Sequence, residues 1–139
     1  MNVAEMRERV GNARVGRLAT VSPDGRPHLV PLCFALDGEV LYSAVDEKRK
    51  RSRRLQRLEN IRSRPQVAVI VDHYDEDWTR LWWVRLDGTA SVLDPGSEWE
   101  HALDLLRAKY EQYRAEPPRG PVIAVGVERW RGWASSDVA

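Results

Sequence analysis

With 139 residues, 42% of them hydrophobic and 31% charged, the chain is long enough for one hydrophobic core and too short for two independent ones. A net charge of +1 argues against a surface built throughout for nucleic acid, and the longest uncharged apolar run falls far short of a membrane span. A single cysteine, Cys33, excludes an internal disulfide and fits a reducing cytoplasm.

The first ten residues alternate charged and apolar types, with no apolar stretch of the kind a secretion signal needs. Val3, Met6 and Val10 share one face of a short helix predicted over residues 3–11. Val15 to Val21 follows as a strand, and Pro23-Asp24-Gly25 marks a hairpin turn, because proline presets φ and glycine accepts a positive one. The next run, His28 to Leu36, is apolar on both faces: Leu29, Pro31, Cys33 and Ala35 alternate with Val30, Leu32, Phe34 and Leu36. Such a strand belongs to a barrel wall whose outside is also covered. Within it, Cys33 reads as an inert small apolar residue. Pro31 cannot donate to a ladder, so it marks an edge or a break in pairing. Asp37-Gly38 then turns the chain into a third strand, Val40 to Val45.

The segment after that strand is where the charge gathers. Residues 46–64 carry nine basic side chains against three acidic ones, a local +6 in a chain that totals only +1. Lys48 and Lys50 are two of only three lysines. Two positions apart, they point the same way in an extended stretch. Together with Ser43 and the unpaired amides of a helix start they would make an anion pocket. The same residues also read as a solvated basic helix face. Nucleic-acid binding would need basic residues along a whole face with exposed aromatics, whereas the stripe Leu55, Leu58 and Ile61 faces inward and the nearest tryptophans lie far along the chain.

Ser52 can cap the helix that bears this stripe, and Pro65 ends it. Val67 to Val71 is the most buried-looking strand. The acidic loop from Asp72 to Trp78 offers His73 and carboxylates, but lacks both the alternating oxygen ligands of a hard-cation loop and a second histidine or cysteine for zinc. Its carboxylates are expected to cap turns or pair with arginines, and His73, Asp75 and Asp77 could line a substrate mouth. A strand from Arg80 to Leu86 bends at Gly88 and continues from Thr89 to Leu93. Ser97-Glu98-Trp99-Glu100 reads as a capping box opening a helix with Trp99, Ala102, Leu103, Leu106, Tyr110 and Tyr113 on one stripe. A connector rich in proline leads to a last strand, Val122 to Val127, with Trp130 and Trp133 trailing it.

Six strands, three helices and early hairpins point to one mainly-β (α+β) domain over 1–139, a six-stranded antiparallel barrel with flanking helices. No dinucleotide or P-loop glycine pattern occurs, and no nucleophile–base set stands out, so an enzyme here would depend on a bound cofactor.

In order along nearly the whole chain, Gly16-Arg17-Leu18-Ala19-Thr20, Pro23-Asp24-Gly25, Ser43…Lys48-Arg49-Lys50 and Asn60-Ile61…Pro65-Gln66-Val67-Ala68 resemble the split β-barrel flavoproteins related to pyridoxamine 5′-phosphate oxidase. The lysine pair, the long basic helix, the Asp72–Trp78 motif, Leu81-Trp82-Trp83-Val84 and Gly132-Trp133 are most similar to the actinobacterial branch associated with the deazaflavin coenzyme F420. The resemblance implies an FMN-binding type of split barrel and a homodimer with its cofactor sites at the interface. It implies that Ser43, Lys48 and Lys50 hold the cofactor phosphate and that backbone around Val30, Pro31 and Leu32 lies beside the ring. Trp83 and Trp133 would contact the ring or the partner subunit. Arg51, Arg53 and Arg54 would suit the oligoglutamate tail of F420 better than the short tail of FMN. The implied activity is hydride transfer between reduced F420 and a small electron-poor substrate. Alternatives are an FMN-dependent oxidase or reductase on the same fold, or a non-catalytic module binding F420, flavin or haem. The chain lacks the arginine-leucine-proline ending of true pyridoxine phosphate oxidases, which speaks against vitamin B6 chemistry. Neither nucleic acid nor membrane is expected as a partner.

Overall fold

The computed structural model describes residues 1–45 and 55–137, so the expected roles of Lys48, Lys50, Arg51, Ser52, Arg53 and Arg54 fall outside it. Seven antiparallel strands make one sheet: β1 Gly16–Val21, β2 Pro27–Leu32, β3 Ala35–Asp37, β4 Val40–Ala44, β5 Gln66–His73, β6 Trp82–Leu93 and β7 Val122–Ala134. Their order is β2-β1-β5-β6-β7-β4-β3. The two edge strands are consecutive in the chain and joined only by Cys33 and Phe34. Two such residues span roughly 10 Å, whereas a flat seven-stranded sheet would hold its edges roughly 29 Å apart. The sheet must therefore curl until its ends meet, and the result is a split barrel.

Seven strands arise where six were expected because the run from His28 to Leu36 breaks at Phe34, whose ring turns fully into the core. Pro31 sits on the edge strand β2, as its missing N–H requires. Within the described residues of one chain, this run is covered on one side only. Val30 and Leu32 pack against the core, but Leu29 is 69% exposed and Pro31 and Cys33 are exposed too. Among the described residues no element covers that face. Cys33 is accordingly a surface thiol rather than a packed one.

Helix α1, Val3–Asn12, is capped by the Asn2 side chain, which accepts from the Glu5 amide at 2.8 Å, and it buries Met6 and Val10. The β1–β2 and β3–β4 turns use Gly25 at φ +89° and Gly38 at φ +60°, backbone that glycine alone adopts cheaply. Helix α2, Gln56–Ser63, starts from Leu55, which makes no side-chain capping bond, and the capping role expected of Ser52 lies outside the described residues. Its Asn60 is completely buried. There it donates to the Thr20 hydroxyl at 2.9 Å and accepts from Gln56 at 2.8 Å, which fixes the helix on β1. Helix α3, Ser97–Lys109, begins after Gly96 with no side-chain cap, so Ser97 lies inside the helix and the capping box does not form. Extended backbone at Tyr110 then separates a short α4, Glu111–Ala115. Ala102, Leu103 and Leu106 of α3 pack on Ala35, Tyr42, Val122 and Ala124 as a second core cluster. At its rim the Tyr42 hydroxyl donates to Glu98 at 2.9 Å, and burial together with that carboxylate pushes its pKa up to about 12.

The last strand is longer than its apolar part. β7 runs on through Arg129, Arg131 and Trp133 because it pairs with all of β6. A bulge at Asp87/Gly88 absorbs one extra residue, Glu128, on β7. Among the described residues no helix is long and apolar enough to cross a membrane.

Candidate functional site

Side chains alternate across these strands. Val67, Val69 and Val71 of β5 and Val84 and Leu86 of β6 point inward, which leaves Ile70, Asp72, Trp83 and Arg85 on the outer face. Register then places Asp72 beside Trp83 and Trp83 beside Trp133 of β7. These residues, with His73, Tyr74, Leu81 and Trp82 at the strand ends, line a cleft of about 410 Å³. That lies within the ~300–1,000 Å³ typical of small-molecule sites.

The polar groups of the cleft are held in place. Arg85 grips Asp87 through Nε at 2.8 Å and Nη2 at 3.2 Å, and Asp72 faces Arg17 at 3.6 Å. His73 stacks on Trp82 with ring centroids 6.3 Å apart, and its Nε2 is 3.8 Å from Asp75. Asp75 and Asp77 both face Arg80. Asp77 also accepts from the Thr79 hydroxyl and amide, which lowers its pKa, so this carboxylate works as a turn cap. The expectation of capping and arginine pairing therefore holds for this loop. No group of three or more metal-ligating side chains occurs among the described residues.

Of the residues named from sequence, Trp83 and Trp133 come together as cross-strand neighbours. Val30, Pro31 and Leu32 lie on β2, separated from β6 by β1 and β5, roughly 14 Å away at ordinary strand spacing. Ser43 is elsewhere again. It is 4% exposed on β4, opposite Ile123, and its hydroxyl donates to the Cys33 carbonyl at 2.8 Å, stapling the barrel corner. A serine has one O–H to give, so in this arrangement Ser43 can only accept from a ligand. From Ile123 to Trp133 is ten residues along β7, roughly 30 Å. One chain thus does not bring Ser43 and the tryptophans to one small cofactor.

Around the Ser43 corner lies a cluster that residue patterns did not disclose. Lys109 Nζ sits 4.1 Å from the centroid of the Phe34 ring and 5.4 Å from that of Tyr110, buried and without a hydrogen-bond partner among the described residues. Burial, helped by Arg14, lowers its pKa to about 8. The Tyr110 hydroxyl accepts from the Phe34 amide at 3.1 Å and donates to the Arg14 carbonyl at 2.8 Å, and burial raises its pKa to about 12. An unfolded lysine keeps its proton up to about pH 10.5, so between pH 8 and 10.5 the unfolded chain binds the extra proton. Stability from this group therefore rises with pH across that window, and the penalty is full below pH 8. Lys109 is only half-buried, so screening reduces the effect to about 1–2 kcal/mol. Urea midpoints measured at pH 7.5 and 9.5 should increase for the wild type and stay level for Lys109→Met. An equal increase in both would assign the titration to another group.

Arg85 and Arg131 were also missed. The signal was present in the alternation Arg129-x-Arg131-x-Trp133, which continues a strand read as ending at Val127.

Comparisons with known proteins agree with this architecture. Residues 3–134 match the family model described as pyridoxamine 5′-phosphate oxidase. A 5a,11a-dehydrotetracycline/5a,11a-dehydrooxytetracycline reductase of Streptomyces rimosus is 30% identical over 118 residues, which is 81% of this chain and 75% of the relative. A conserved hypothetical protein of Mycobacterium tuberculosis superposes with a TM-score of 0.81 at 21% identity, covering 99% of this chain and 88% of its own. A FAD-binding protein of Mesorhizobium loti gives 0.71 at 24%, covering 95% and 94%. The haem storage protein HutZ of Vibrio cholerae gives 0.71 at 16%, covering 95% and 93%. At these identities the structural likenesses speak to fold alone, whereas the family match spans nearly every residue: the chain belongs to the pyridoxamine 5′-phosphate oxidase family of split β-barrels.

Proposed function

We propose that the protein is an F420-dependent oxidoreductase that works as a homodimer, moving a hydride between reduced deazaflavin and a small electron-poor substrate. One observation carries this reading. The Ser43 corner, from which the basic segment leaves, and the Trp83–Trp133 cleft lie at opposite ends of β7, so each chain would contribute half of a site. A two-fold partner would supply the other half. The outer face of β2, β1 and β5, with Leu29 and Pro31 exposed on β2 and Ile70 on β5 across Arg17, offers that partner a surface.

The residues fit such a cofactor in kind. Lys48 and Lys50 would anchor the phosphate, and Arg51 and Arg54, with Arg53, would favour a polyanionic tail, which supports F420 over FMN. Backbone at Val30, Pro31 and Leu32 lies on an edge strand with no second ladder partner among the described residues. Ser43, with its proton committed to Cys33, shapes the corner rather than donating to the anion. Trp83 and Trp133 would wall the space over the ring, excluding water and orienting the substrate. The bound deazaflavin would supply the hydride chemistry. The reductase relative supports oxidoreductase chemistry.

Titration of the purified protein with F420 and with FMN, alongside sedimentation analysis, tests the proposal. The expected result is a dimer that binds F420 more tightly than FMN. Tighter FMN binding would overturn the cofactor choice, and a monomer binding F420 at full affinity would overturn the shared site.

A further inference from the structure

We infer that the outer face of β6 and β7 selects substrates made of a flat ring bearing an anionic group; as a statement about substrate, this rests on the function proposed above. Three cross-strand pairs lie in succession on that face: Trp83 with Trp133, Arg85 with Arg131, and Asp87 with Arg129. Successive pairs are two residues apart, about 6.7 Å. An aromatic stage is therefore followed, one ring-width on, by a cationic one. Cross-strand neighbours approach closely enough to act on one ligand.

The charges of this face do not cancel internally. Asp87 is held by Arg85, Asp72 faces Arg17, and Glu128, the extra residue of the bulge, accepts from the Thr89 hydroxyl at 2.9 Å. Arg129 and Arg131 are exposed and have no ion-pair partner among the described residues. Two cations are thus left over, Arg131 one cross-strand pair from the tryptophans and Arg129 two pairs away. The Asp87 grip uses one edge of the Arg85 guanidinium and leaves N–H groups of its other edge unclaimed. Indoles stack on flat rings, and a guanidinium fork matches a carboxylate or an acidic enol. The same ring-plus-anion chemistry is found in a flavin-like cofactor, so the experiment must separate the two sources.

Calorimetric titration with naphthalene-2-carboxylate and its neutral carboxamide does so, on the free protein and on protein saturated with oxidised F420. The acid should bind about tenfold more tightly than the amide in both forms, with the gap narrowing in high salt. Arg131→Gln should reduce that preference below about twofold, Arg131→Lys should keep part of it, and Trp133→Ala should weaken acid and amide alike. Equal affinity for acid and amide, or a preference untouched by Arg131→Gln, overturns the inference. Displacement of the acid by F420 would reassign the face to the cofactor and overturn it as a substrate site. If F420 fails to bind at all, the function proposed above falls, while the preference on free protein still decides whether the face reads a ring acid.

Discussion

Replacing Lys48 and Lys50 together by alanine is expected to weaken F420 binding about a hundredfold or more, with the unfolding midpoint almost unchanged. Each ammonium would make a charge-assisted contact of about 1.5–3 kcal/mol to the phosphate, or roughly tenfold to a hundredfold in affinity. Strand β4 ends at Ala44, and the buried Val45 that follows donates its amide to the Pro121 carbonyl at 3.0 Å, so the barrel strands are tied down without either lysine. Single replacements should each weaken binding about tenfold, and Lys→Arg at either site should recover most of the loss because charge is retained. Fluorescence titration in low and high salt measures this, and the difference from wild type should shrink as salt screens the contacts. A double variant that binds F420 within a factor of three of wild type would show that this segment is only a solvated basic face and that the phosphate anchor lies elsewhere.

Local signals carried much of the fold. Val3, Met6 and Val10 announce α1, Gly25 and Gly38 sit where the turns need positive φ, and the Val67–Val71 run is a strand. What failed were inferences from apolar pattern to burial. Leu29, Pro31 and Cys33 look like the second face of a covered wall, yet they stand exposed, because periodicity reports which residues avoid water and not what covers them. The end of β7 failed the opposite way. Arg129 and Arg131 look like a loop, but pairing with β6 overrides their polarity. The site was legible in part. Trp83 and Trp133 were named through family resemblance, and no local pattern could reveal that residues fifty positions apart share one cross-strand pair. Ser43 was placed on its strand correctly, but the Cys33 carbonyl that takes its proton is a tertiary contact. Lys109 stayed hidden for the same reason, since only the folded chain brings its Nζ over the Phe34 ring and near that of Tyr110.

An alanine at Gly88 is expected to cost about 3 kcal/mol or more, a large loss for one methyl group. A Cβ built there would lie 2.2 Å from the Gly126 carbonyl oxygen and 3.0 Å from its carbon, with Val125 Cγ1 at 3.1 Å. The first two are backbone atoms, which cannot swing aside as a side chain would. One strand must therefore move, at the bulge where β6 and β7 change register. Gly126 on β7, which pairs with Thr89 rather than Gly88, supplies the control. A Cβ at Gly126 meets nothing nearer than the Thr89 carbonyl oxygen at 3.8 Å, an ordinary contact, and its φ is not positive. Gly126→Ala should therefore change stability by less than about 1 kcal/mol, and the reduced freedom of its unfolded chain pushes toward a small gain. The consequence of Gly88→Ala should extend to the cleft, because Trp83 and Trp133 are carried by the same two strands just beyond the bulge. Urea unfolding of both variants, with ligand titration of whichever stays folded, checks this. If Gly88→Ala and Gly126→Ala unfold at the same urea concentration, the close approach of the two backbones at the bulge does not set the register on which the tryptophan pair depends.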